Sequence, residues 1–153
     1  MAQVALSEAQ RELVAFEAEQ IAKGAASART KEAFERLSSF AAAVELPEEL
    51  APALGELLSL GLSTGRIRAV HGPHGEMEAV SLFRRTPQGK AFHAQFDDVN
   101  AMLAAFKGQE LRQISLSARG PGMFTLLLET ETARVTISLA KDEVDVRSVE
   151  VAI

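Results

Sequence analysis

Apolar positions over the first sixty-odd residues recur at helical spacing, whereas over the last forty-five they recur at every second position. The first pattern predicts three helices. In "SEAQRELVAFEAEQIAKG", Leu13, Val14, Phe16 and Ile21 gather on one side, Ser7 and Gln10 have the arrangement of a capping box, and Gly24 ends the run. "ARTKEAFERLSSFAAAVEL" places Phe34, Leu37, Ala41 and Val44 on one face, with Phe40 widening it and Thr30 available as a cap. "LPEELAPALGELLSLGL" opens with Pro47 and two glutamates, which suit a helix start, and repeats Leu50, Leu54, Leu57 and Leu58 despite Pro52 and Gly55 in its middle.

After Gly65 the period shortens to two. "GRIRAV" and "EMEAVSLF" alternate across "HGPHG", whose glycines and proline suit a turn, so a β-hairpin is expected there. "TPQG" then breaks the pattern. "FHAQFDDVNAMLAAFKG" predicts a fourth helix, with Phe96, Val99, Leu103 and Phe106 on one face and Gly108 as its stop. Four strand-like runs follow, "ELRQISLSAR", "MFTLLLETE", "ARVTISLA" and "EVDVRSVEVAI", parted by "GPG", a Glu-Thr junction and "KD". Their buried sides fall on Leu111/Gln113 or Ile114/Leu116, on Val135, Ile137 and Leu139, and on Val144 and Val146. The expected class is therefore α+β: an N-terminal three-helix segment, a β-hairpin, a further helix and a C-terminal four-stranded antiparallel meander. A chain of this length fits a single domain over 1–153, with sub-layers at 1–63, 64–108 and 109–153.

Composition narrows the classes of function. An apolar fraction of 47% with 24% charged residues is that of a globular chain rather than a disordered one. Cysteine is absent, which excludes disulfides, thiolate metal sites and cysteine nucleophiles together. Tyrosine and tryptophan are also missing, so an interface must rely on Phe, Leu, Met and Arg. Acidic residues near the start argue against a signal peptide, and no run reaches the ~18 apolar residues of a membrane span, so a cytoplasmic location away from membranes is expected. The net charge of −5 is unevenly spread: −5 over residues 1–63, +3 over 64–90 and −3 over 91–153. The middle is a basic island carrying Arg66, Arg68, Arg84, Arg85 and Lys90.

Candidate chemistry is sparse. His71, His74 and Glu76 offer three ligands for zinc or nickel, a number that leaves a catalytic metal one open position. The same letters are explained by the backbone needs of a turn, and His-x-x-His in a turn lacks the rigid geometry of a helix. His93 and Asp97, one helical turn apart with Asp98 beside them, could form a base and its orienting partner, but no nucleophile or oxyanion donor accompanies them. "GLSTGR" has glycines flanking hydroxyls without the lysine or spacing of a P-loop. No catalytic residue, metal or cofactor is assigned on these grounds.

From 47 to 106 the order is helix, "GRIRAV", turn, "MEAVSLFRRTPQGKAF", helix. This resembles the recognition helix, basic wing and following helix of winged-helix regulators, and "RTPQGKAF" is similar to the threonine-x-x-glycine segment that closes the wing there. The resemblance implies phosphate contact by Arg66, Arg68, His71, His74, Arg84 and Arg85. Against it, "LPEELAPALGELL" holds three glutamates and no basic or amide side chain with which to read bases. The expected function is thus a non-enzymatic protein-interaction module, an adaptor, regulatory subunit, inhibitor or immunity-type partner. It would use segregated charge, with Arg66, Arg68, Arg84, Arg85 and Lys90 facing the partner, or a sheet edge such as the final strand. A nucleic-acid-binding regulator using the basic hairpin is the alternative, and a metal-dependent enzyme using His71, His74 and Glu76 the second alternative. Another protein is the expected partner, and self-association is compatible with either of the first two readings.

Overall fold

A computed structural model describes residues 4–140 and 144–151, apart from the side chains of residues 145, 146 and 151. The chain divides into two compact units, residues 1–91 and 92–153, with the boundary inside one helix rather than at either of the expected layer boundaries.

The first unit begins with β1 (Val4–Ala5) and α1 (Glu8–Gly24). The Ser7 hydroxyl accepts from the Gln10 amide while the Gln10 side chain accepts from the Ser7 amide, the reciprocal cap read from the sequence. Helix α2 (Ala28–Phe40) is capped by Ser27, three residues earlier than Thr30, because the Ser27 hydroxyl accepts from the Thr30 amide. It buries Phe34 and Leu37 and stops before Val44, which is exposed; β2 (Glu45–Leu46) then pairs antiparallel with β1. A 3-10 turn at Glu48–Leu50 leads into α3 (Ala51–Ser63), so Pro52 sits in the first turn, where its missing N–H costs nothing. Leu54, Leu57 and Leu58 are fully or almost fully buried, as their spacing predicts.

Helix α4 (Arg66–Phe83) replaces the expected hairpin. Its buried residues Ile67, Ala79 and Leu82 face the core formed with α1 and α3. The glycine and proline of "HGPHG" do break the backbone, but between two helical segments: Gly72 adopts φ 71° and ψ −175°, a region open only to glycine, and Pro73 restarts the helix. The residue before a proline avoids the helical region, and proline is well placed in a first helical turn, so the same letters that suit a strand turn also suit a helix kink. The two-stranded antiparallel pairing in this protein is β1 with β2, outside residues 64–90.

Helix α5 (Pro87–Leu103) starts earlier than its apolar face suggested. The buried Thr86 hydroxyl accepts from the Gly89 amide and donates to the Phe83 carbonyl, so "TPQG" is a cap with proline in the first turn. Thr86→Val keeps the shape and removes both bonds; a loss of about 1–2 kcal/mol is expected in urea denaturation. A loss below a few tenths would mean that the hydroxyl contributes nothing at this junction.

The second unit holds the rest of α5, a 3-10 turn at Ala104–Phe106 and a four-stranded antiparallel meander of β3 (Gln113–Gly120), β4 (Met123–Glu129), β5 (Ala133–Leu139) and β6 (Val144–Val151), in that spatial order. This is the sheet expected from the period-two pattern. The "KD" junction before β6 lies outside the described residues. Val99 on α5 packs with Val135 and Ile137, with Leu103, Phe106, Leu126, Leu128, Leu139 and Val144 around them.

Candidate protein-interaction surface

Register decides which side chains share a face of the meander. Ile114 pairs with Leu128, Leu116 with Leu126 and Ala118 with Phe124; on the next strand Leu128 pairs with Val135, Leu126 with Ile137 and Phe124 with Leu139. Directly opposed residues point the same way, so all of these lie on one apolar face. The other face carries Gln113, Ser115, Ser117, Thr125, Arg134, Thr136 and Ser138, with Leu127 the apolar exception.

Within the second unit one helix, α5, covers that apolar face, and one helix is too narrow for it. Four strands at ~4.8 Å spacing span nearly twice the ~10 Å width of a helix with its side chains. Coverage is accordingly concentrated on the middle: Val135 and Ile137 are buried, whereas Ile114 is 64% exposed, Leu116 65% and Phe124 41%. Leu111, the other option for the buried side, precedes β3 and is also exposed. The most exposed apolar residues of this face therefore lie on β3, with Phe124 at the adjoining end of β4, while on β6 Val149, opposite Val135, is 46% exposed.

The sheet has two edges, β3 and β6. The final strand is an edge, as expected. Its sequence holds Asp145, Arg147 and Glu150, and its pairing with β5 is interrupted by an irregularity at Thr136/Ile137, both devices that discourage a further strand. Strand β3 has no charged residue from Gln113 to Ala118, and its irregularity falls only beyond Ala118. Thus the strongest apolar exposure and an edge stretch free of charge and irregularity coincide over Gln113–Ala118 of the same strand.

The cations of the basic island are largely engaged within the first unit. Arg66 Nε donates to Glu17 Oε2 at 2.7 Å, Arg68 to Glu76 at 2.6 Å, and Arg85 to Gln10 Oε1 at 2.6 Å and to the Ala5 carbonyl. Arg84 and Lys90 are exposed and have no ion pair among the described residues. The five do not form one hairpin face, because residues 66–83 are helical.

The three candidate metal ligands are likewise parted. His71 Nε2 lies 2.8 Å from Glu17 Oε1, Glu76 is taken by Arg68, and His74 is exposed; among the described residues no three metal-ligating side chains converge. His93 stacks edge-on against Phe92 near Phe96, while Asp97 and Asp98 are exposed. Sequence reasoning missed Glu17, a carboxylate 3% exposed that holds both Arg66 and His71. Its position among Gln10, Leu13, Val14, Ala18 and Ala22 on the buried stripe of α1 was a usable signal, since a polar residue on that stripe requires partners. It also missed that Ile114 and Leu116 stay uncovered. Counting covering helices against strands would have found that.

Among the described residues no helix is long and apolar enough to cross a membrane. Comparison with protein families, curated proteins and solved structures finds no match to this chain.

Proposed function

We propose that the protein is a non-enzymatic interaction module, an adaptor, regulatory subunit, inhibitor or immunity-type partner, that binds another protein through strand β3. The observation carrying this reading is the coincidence of the exposed Ile114 and Leu116 with a sheet edge that carries no charged residue from Gln113 to Ala118. Strand addition at such an edge draws affinity from main-chain hydrogen bonds and specificity from alternate side chains, and it needs neither tyrosine nor tryptophan. Segregated charge then steers approach rather than forming the contact, since Arg66, Arg68 and Arg85 are engaged internally.

Leu116→Lys tests it. Lysine on an edge strand blocks pairing, and at an exposed position it should alter stability by no more than ~0.5 kcal/mol. The wild-type chain, tagged and passed through native host lysate, is expected to retain a stoichiometric protein regardless of nuclease, and the variant to retain at least about ten-fold less. Equal retention by both would overturn the β3 reading. Exposed Arg84 and Lys90 favour nucleic acid as a second reading, and retention abolished by nuclease would establish it in place of the first.

A further inference from the structure

We infer that the strand added at β3 is β3 of a second copy of this chain, giving a two-fold dimer with a continuous eight-stranded sheet. This rests on the reading of β3 as an interaction edge and names its occupant.

The edge is self-complementary. An antiparallel pair of identical strands about a two-fold axis at Leu116 sets Leu116 against its equivalent, Ile114 against the partner's Ala118, and Ser115 against the partner's Ser117. On the apolar face each large side chain off the axis meets a small one. The small Ala118 already faces Phe124 across β4, so Ile114 of the second copy would complete a row of Phe124, Ala118, Ile114 and Leu128. The row through the axis would run Leu126, Leu116, Leu116, Leu126. On the polar face, serine hydroxyls oppose each other and can exchange hydrogen bonds.

Charge allows the same arrangement. No ionised side chain lies between Gln113 and Ala118, so bringing two copies together sets no like charges opposite one another along this stretch. Strand β6 could not do this as well: Asp145, Arg147 and Glu150 in its sequence, with the irregularity in its pairing, make it the guarded edge. A foreign partner would need an extended segment with apolar residues alternating with small polar ones, and "QISLSA" is such a segment, present in every copy at equal concentration.

The test uses the absence of cysteine in the chain. Residues facing each other in an antiparallel pair lie ~4.5–5.5 Å apart at Cα, inside the window for a disulfide. Leu116→Cys in the full-length protein is expected to give a covalent dimer under mild oxidation, while Ser59→Cys, on an exposed helical position, gives none under the same conditions. Sedimentation of the unmodified chain is expected to report a dimer, and Leu116→Lys a monomer with an unchanged circular dichroism spectrum. Two results together would overturn the dimer: a wild-type chain that stays monomeric at up to ~100 μM, and a Leu116→Cys variant no more prone to cross-linking than the Ser59→Cys variant. If Leu116→Lys nonetheless loses a protein retained from lysate, β3 still serves a foreign partner and only the identity of the occupant fails. If neither the oligomeric state nor the retention changes, both readings fail.

Discussion

Gly89→Ala is expected to destabilise the first unit by about 3 kcal/mol, lowering its thermal midpoint by roughly 10–20 °C. A Cβ at Gly89 would stand 2.6 Å from the Phe83 carbonyl carbon and closer still to the carbonyl oxygen. The obstacle is backbone, which cannot swing aside as a flexible side chain would. Nor can the junction simply open, because the Thr86 hydroxyl holds that carbonyl at 2.7 Å while accepting from the Gly89 amide at 3.0 Å. A methyl group must therefore move the end of α4 away from the first turn of α5, or unwind that turn. Lys90→Ala, at the exposed neighbouring position, should change stability by no more than ~0.5 kcal/mol and serves as the control. Urea denaturation followed by circular dichroism measures both, and an alanine variant as stable as the control would show that the two helices do not meet in this way.

The paired substitution Arg66→Ala and His71→Ala is expected to cost a similar amount, about 3 kcal/mol, by leaving Glu17 buried without a cation. The Glu17 side chain is 3% exposed and its two oxygens are divided between the partners, Oε2 to Arg66 and Oε1 to His71. That figure lies at the low end for a broken buried pair because Arg66 is 46% exposed and already shares its charge with solvent. His71 also loses its edge-on contact with Phe16, at 5.4 Å between ring centres. Each single substitution should cost markedly less than half of the total, since the remaining partner still serves the carboxylate. Adding Glu17→Leu to the double variant should recover most of the loss, because an apolar side chain of similar size needs no partner there. If the triple variant were less stable than the double, the unpaired carboxylate would not be the source of the cost.

These two sites also mark the limits of what was legible. The cap of α1, the leucine face of α3 and the C-terminal meander were all readable, since each depends on residues within a few positions of one another. The span 66–83 was not. "GRIRAV" alternates over too few residues to distinguish a strand from one turn of helix, and Gly72 with Pro73 signals a break without saying what is broken. Helix was settled by distant contacts, with Ile67, Ala79 and Leu82 buried against the core that α1 and α3 share with it. The basic island was readable as charge but not as surface. Arg66 finds its acceptor 49 residues away and Arg85 finds one 75 residues away, separations over which a charge count has no reach. Ile114 and Leu116 mislead in the opposite sense, for an apolar alternation looks the same whether or not a helix lies over it.

Alone, the amino-acid order determined local geometry: the cap that starts α1, where the backbone breaks, and that the last four runs are two-faced strands in an antiparallel meander. Those properties follow from capping hydrogen bonds, the restricted angles of proline and glycine, and the two periods of the backbone, all of which act over a few residues. Tertiary structure decided which faces are covered and which charges are spent. Burial of Glu17 with Arg66 and His71, closure of α4 onto α5 at Gly89, and exposure of β3 each depend on how much room a neighbouring element fills. A helix about 10 Å wide on a sheet nearly twice as broad leaves part of that sheet uncovered, and no local pattern states which part.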